Sequence, residues 1–379
     1  MSDDQKSRGK LNIKKSFILG GAFMATCIGS GFGTGSEFLQ FFCVYGVKGA
    51  ILSALVSLII YIIFAKELFT KGYELPEEES TSLLSWYFGK KVGTALDWFC
   101  AFFVGGCYII MLSGAGNTLH EYLGIPVFVG SALMAVCAIV TVMLGLRKLT
   151  DIIGTIGPVM GVLVIIVGIC GIAKGSGMQN VDELIPSLGW TKAGSNWLIA
   201  GILYPCFCMM TLFPVIPAMG RTSGNRKTAV GAAVFGPVLF HVALIIMVMA
   251  ILSNAELIRG VQVPNLAIAK MLNPAVAAVY VCVMILAIYT TACPMMWGFV
   301  GKFCRKSEKS WQYKVWCIGL TAVGMFASEY LSLATLINWI FGIIGYVGAV
   351  VFVGMFISNA IHKKRAGKQS TDGHTVTEE

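Results

Sequence analysis

Apolar residues fall in long runs along this chain, set apart by short stretches that hold most of the charge. A bilayer core of about 30 Å asks for about 20 apolar residues per crossing helix. Ten runs meet that length, at 16–44, 47–69, 93–118, 126–146, 150–173, 196–219, 228–252, 275–301, 312–328 and 333–358. The pattern predicts an all-α integral membrane protein with ten transmembrane helices. Residues 1–15 are then a short arm, 16–173 a first set of five helices, 174–195 a loop, and 196–358 a second set. Residues 359–379 read as a basic, disordered tail. No large extramembrane domain fits. The first run is too long for a removable signal peptide and lacks a small-residue cleavage pattern.

Composition agrees. Of the 379 residues 56% are hydrophobic and 12% charged, against about 25% charged in a soluble protein. The net charge of +9 would suit nucleic acid, but its placement argues against that. With the N-terminus inside, only Lys48, Lys174, Lys192, Arg259 and Lys270 fall on outer segments. The remaining 23 of the 28 Lys and Arg fall on inner ones. This positive-inside bias puts both termini in the cytoplasm, as for a multi-pass protein of a bacterial plasma membrane. The lipid bilayer is therefore the expected surroundings, with no nucleic-acid partner. The 12 cysteines and four histidines show no metal-ligand spacing, so no transition-metal site or cofactor is expected.

Two spans carry helix breakers. The first contains Gly29-Ser30-Gly31-Phe32-Gly33-Thr34-Gly35, and each glycine costs a helix about 1 kcal/mol relative to alanine. Thr34-Gly35-Ser36-Glu37 fits a capping box. One half-helix is expected to end near Ile28 and another to start near Thr34. The alternative is close helix packing through the Gly31–Gly35 pair. The sixth span contains Pro205, Pro214 and Pro217, which free the carbonyls of Gly201, Met210 and Phe213. Its break is expected near residue 209. Interrupted spans at corresponding places of two halves point to a transporter binding site. Five helices per half makes the halves inverted.

This arrangement resembles the LeuT fold of the amino acid–polyamine–organocation superfamily. The opening from Gly21 to Phe42, with Cys27-Ile28-Gly29-Ser30-Gly31-Phe32-Gly33-Thr34-Gly35-Ser36-Glu37, resembles the YkvI-like bacterial membrane proteins. The resemblance implies fold and transport class. It also implies a cation site between the first break and the eighth span, where a sodium ion acts as coupling ion. Thr290 and Thr291 would supply hydroxyls, with Ala287 beside them. Backbone carbonyls of Ile28, Gly29, Ser30 and Gly31 would complete the shell. The alternative is that both threonines bond their own helix.

The solute site is expected at Gly31, Gly33, Thr34 and Gly35, whose half-helix points free amides at a carboxylate. Tyr108 and Asn117 of span three and Phe207 and Thr211 of span six are candidate walls. For these four, ordinary packing is the competing reading. Glu37 is the most informative charge, because a carboxylate within a span is functional by default. It either binds a substrate amine, carries a proton, or serves the capping box. The leading expectation is a Na⁺-coupled symporter of an amino acid or similar small carboxylate. The others are a proton-coupled transporter using Glu37, and a transport-inactive sensor of the same fold. No nucleophile–base pair or phosphate-binding loop suggests an enzyme.

Overall fold

The computed structural model describes residues 9–76, 83–144, 150–213, 215–304 and 310–372, without the side chains of 144, 150–158 and 363–372. Lys6, Arg8, Glu77–Glu79, Arg147, Lys148, Pro214, Arg305, Lys306, Lys309 and His374 lie outside that description. Among the described residues there is no strand. The chain is all helix because a backbone group in lipid must find its partner within its own segment.

The first predicted span is three pieces: α1 (Ile13–Cys27), α2 (Ser30–Thr34) and α3 (Ser36–Phe41). A 3₁₀ turn leads to α4 (Gly46–Glu74). Then come α5 (Leu83–Leu123), bent at Gly89, α6 (Val127–Leu144) and α7 (Thr150–Lys174). A short α8 (Val181–Leu184) interrupts the predicted loop. The second half holds α9 (Trp197–Leu212), α10 (Val215–Arg221) and α11 (Arg226–Ser253). It continues with α12 (Pro264–Leu272), α13 (Pro274–Phe303), α14 (Trp311–Tyr330) and α15 (Leu333–Asp372).

Among the described residues each predicted span falls on helix, the first and the sixth in separate pieces. Among the described residues five helical stretches are long and apolar enough to cross a membrane: Ser36–Glu74, Leu83–Leu123, Arg226–Ser253, Pro274–Phe303 and Leu333–His362. The pair α9 and α10 makes a sixth if taken as one bent span. The protein is a multi-pass membrane protein. Two expectations need correction. The tail was expected to be disordered from 359, but α15 continues to Asp372. Its Lys363, Lys364, Arg365, Ala366, Lys368 and Gln369 are good helix formers, so nothing stops the last turn of the span from propagating. The segment after α11 holds a helix, α12, that the hydropathy pattern does not show, because nine residues are too short to register as a run.

Asparagine marks several starts. The side chains of Asn12, Asn196, Asn225 and Asn273 accept from the amides of Lys15, Ile199, Thr228 and Ala275. Each satisfies one amide that the first turn leaves without a helical partner. The α1 piece packs on α11, α4 packs on both α9 and α11, and α13 packs on α5. This places both interrupted segments inside the bundle.

Candidate functional site

The first break is built in two steps. The first helix stops at Cys27, and Ile28 and Gly29 are extended, with φ of −81° and −118°. The five-residue α2 then runs to Gly35, whose φ of +85° turns the chain into α3. Glycine takes that left-handed conformation without steric cost. The expected end near Ile28 is therefore found. The expected restart near Thr34 is not: helix resumes at Ser30, and the capping box does not form. Thr34 Oγ1 donates to the Gly31 carbonyl at 3.2 Å and accepts from the Ser36 amide at 3.3 Å. Gly35 holds the N-cap position of α3, with no side-chain cap. A left-handed residue directly after Thr34 takes its hydroxyl away from the N3 amide that a capping box needs.

Glu37 consequently turns back along the chain. Side chains on helices lean toward the N-terminus, and its carboxyl comes to lie over Gly31. A Cβ added to Gly31 would stand 2.8 Å from Glu37 Cδ and 2.9 Å from Oε1. The residue is 4% exposed. Cys27 at the end of α1, Cys107 on α5, and Tyr204 and Cys208 on α9 lie within its electrostatic reach. One carboxyl thus sits where the first break, span three and span six converge.

The second interruption is displaced from its expected place. Residues 205–208 are helical, and Pro205 is absorbed within α9. The bend comes between the end of α9 at Leu212 and the start of α10 at Val215, the two helices standing at 69°. A single proline removes one amide and is tolerated where packing re-satisfies the freed carbonyl. Here Gly201, the residue four back, packs directly on Ser53 of α4.

The predicted walls divide. Phe207 lies in an aromatic group: its ring stacks on Phe341 at 4.2 Å and meets Tyr204 at 5.2 Å and Phe41 at 5.4 Å. It joins the two interrupted helices. The Tyr108 hydroxyl pairs with Thr321 of α14 at 3.0 Å. Asn117 bonds the Ser113 carbonyl of its own helix at 2.9 Å and borders a cavity of about 810 Å³ beneath α12. Thr211 bonds the Cys208 carbonyl at 2.7 Å and borders a separate cavity of about 200 Å³ with Asp97. Asn117 and Thr211 thus mark approaches from opposite ends of α5 rather than one pocket.

The members of the predicted cation group bond mainly within their own segments. Thr290 and Thr291 both donate to the Ala287 carbonyl, at 3.0 and 2.9 Å. That is the own-helix bonding weighed above, and it leaves the lone pairs of both hydroxyls free. Pro294, inside α13, leaves the Thr290 carbonyl without its helical amide. Among the carbonyls, those of Gly29 and Gly31 already accept from Gly33 and Gly35. Ser30 Oγ points to the Ile110 carbonyl on α5. The α2 segment does lie beside α13: Gly33 packs on Met284, and its carbonyl accepts from Tyr280 at 2.8 Å. Thr290 and Thr291 are about one to two turns further along that helix.

Sequence reasoning missed a clamp. Asn265 of α12 donates to the carbonyls of Phe32 and Gly33, at 3.0 and 3.1 Å. Ser36 Oγ donates to Gln262 O at 2.5 Å. Glu121, at the end of α5, accepts from the amides of Gln262 and Val263 at 2.7 and 3.0 Å. The carbonyls left free at the end of α2 are therefore satisfied by a separate helix. The one available signal was Pro264, a residue favoured at a first helical position.

No protein-family model matches the chain. It is 19% identical over 344 residues to the uncharacterized membrane protein YkvI of Bacillus subtilis, a match covering 91% of this chain and 96% of that one. Three solved structures share its course. MhsT in complex with L-phenylalanine aligns with a TM-score of 0.55 at 18% identity, covering 93% of this chain and 89% of that one. Mhp1, a nucleobase-cation-symport-1 family transporter in a closed conformation with bromovinylhydantoin bound, also gives 0.55, at 15% identity, covering 86% and 74%. A manganese transporter of Eremococcus coleocola gives 0.51 at 13% identity, covering 93% and 80%. The fold is LeuT-like. The similarity to YkvI runs along the same course as the resemblance of residues 21–42, so the likeness is not confined to the first span.

Proposed function

We propose that this protein is a secondary active transporter that moves an amino-acid-like small solute by alternating access. Two interrupted helices meet at Glu37, and that junction carries the proposal. Broken helices inside a membrane bundle are tolerated only where their backbone faces protein or a water-filled cavity. In transporters they supply the binding site. In this reading the ten helices form two inverted sets of five, both termini are cytoplasmic, and the membrane is the bacterial plasma membrane. The solute sits between α2, α5 and α9, against Glu37 and Phe207. Aromatic walls at Tyr204, Phe207 and Phe341 suit a solute with an apolar side chain; MhsT was solved with L-phenylalanine.

Sodium is the coupling ion in this proposal. Thr290 and Thr291 keep hydroxyl lone pairs, Thr290 keeps a free carbonyl, and Ile28 ends α1 in an extended conformation. Hard cations take such oxygens. The test is uptake of radiolabelled amino acids into proteoliposomes under an imposed Na⁺ gradient. Wild type is expected to accumulate solute only with the gradient, and Thr290→Ala or Thr291→Ala to lose that dependence or all uptake. Uptake indifferent to Na⁺ contradicts the sodium role. The burial of Glu37 favours one other reading, coupling to protons. That reading predicts Na⁺-independent uptake abolished by Glu37→Gln.

A further inference from the structure

We propose that the chamber recognises its solute by an ammonium group, with Glu37 as the counter-ion, and needs no carboxylate on the solute. This rests on the transporter reading for where the solute sits. Glu37 is the only carboxylate among the described buried residues, and that buried set holds no lysine or arginine. The buried His241 is held away by the Pro237 carbonyl at 2.9 Å and Ser57 at 3.0 Å. A buried carboxylate without a partner is costly; it takes up a proton, or is compensated by a cation or by hydrogen-bond donors. Among the described residues no ion pair engages it.

The position of that carboxyl also argues against an anionic solute. It lies over Gly31, in the first turn of α2. Two of the amides the sequence assigned to a solute carboxylate are engaged as well: that of Gly33 with the Gly29 carbonyl at 2.9 Å and that of Gly35 with the Gly31 carbonyl at 3.0 Å. The chain thus brings its own carboxylate to the break, and a second one beside it would be repelled.

The surroundings fit an organic cation. Tyr204 lies 5.3 Å from Phe41, 5.2 Å from Phe207 and 6.2 Å from Tyr61, ring to ring. Aromatic faces attract ammonium groups. The Tyr204 hydroxyl is fully buried, has no hydrogen-bond partner, and lies within the field of Glu37. The Tyr61 hydroxyl is likewise buried with no hydrogen-bond partner. An ammonium has three donors. Placed between Glu37 and Tyr204 it would satisfy both an unpaired acid and an unpaired hydroxyl.

The experiment compares matched pairs that share a carbon skeleton: methylamine with acetate, 3-methylbutylamine with 4-methylpentanoate, and 2-phenylethylamine with 3-phenylpropanoate. Each is titrated into the purified full chain, and thermal unfolding and calorimetric binding are read. At least one amine is expected to bind and stabilise, and its carboxylate mate to do neither. Glu37→Gln is expected to weaken amine binding by about ten- to hundredfold, the worth of a hydrogen bond to a charged group. Tyr204→Phe supplies a readout that survives if Glu37→Gln fails to fold. Losing an unpaired buried hydroxyl should raise the midpoint of the ligand-free protein while shrinking the amine-induced shift. Binding by carboxylates alone, by no amine, or by amines equally in both variants overturns the ammonium site. Amine binding without uptake into proteoliposomes keeps that site and overturns the transporter. Uptake of a carboxylate-only solute that Glu37→Gln leaves intact does the reverse.

Discussion

A Cβ on Gly31 would sit 2.8 Å from Glu37 Cδ and 3.2 Å from its Cγ, so residue 31 is a glycine because Glu37 folds back across it. The alternate glycines of 29–35 therefore have different reasons to be there. Gly35 supplies the left-handed turn at φ +85°, and Gly31 makes room for a carboxyl. Gly31→Ala is expected to displace Glu37 and to destabilise the protein by about 1–3 kcal/mol, the usual cost of overpacking a filled interior. Thermal unfolding in detergent measures it. The double variant Gly31→Ala with Glu37→Ala should recover most of the loss, since the clashing side chain is gone. A glycine serving only helix packing would show no such recovery. The sequence pattern marked these residues as special, but the Glu37–Gly31 contact was not legible. It depends on the conformation of Gly35, and Thr34-Gly35-Ser36-Glu37 also fits a capping box.

At the scale of elements, the two interruptions differ in how well they could be read. Four glycines at alternate positions weaken a continuous helix by about 1 kcal/mol each, and α1 ends at Cys27, beside the expected Ile28. Prolines are less decisive. Pro205 is carried inside α9, as Pro237 and Pro294 are inside α11 and α13, so proline spacing alone misplaced the second break by about one turn. The clamp from α12 was invisible for another reason. Its hydrogen bonds run between residues more than 230 positions apart, and no local pattern encodes them. Asn265→Ala is expected to leave the carbonyls of Phe32 and Gly33 without that donor, at about 1–3 kcal/mol for unsatisfied buried groups. Hydrogen–deuterium exchange should then rise together over residues 30–41 and 254–273. A rise confined to α12 would mean that the clamp does not hold the half-helix.

For the whole molecule, the apolar runs and the Gly21–Phe42 opening were enough to anticipate a LeuT-like course, because lipid permits few architectures besides packed helices. The candidate walls were less legible: Tyr108, Asn117 and Thr211 were chosen by helix and polarity, and the packing of α5, α9 and α14 turns them elsewhere. Cys208 is buried beside Tyr61 and within the field of Glu37. If the chain works by alternating access, this thiol faces each side of the membrane in turn. The direct measurement uses a variant retaining Cys208 as its only cysteine, sealed in vesicles. A membrane-impermeant maleimide is applied first outside and then inside. The account predicts labelling from both faces, slowed from both by a bound solute. Labelling from one face alone, or from neither, would contradict it.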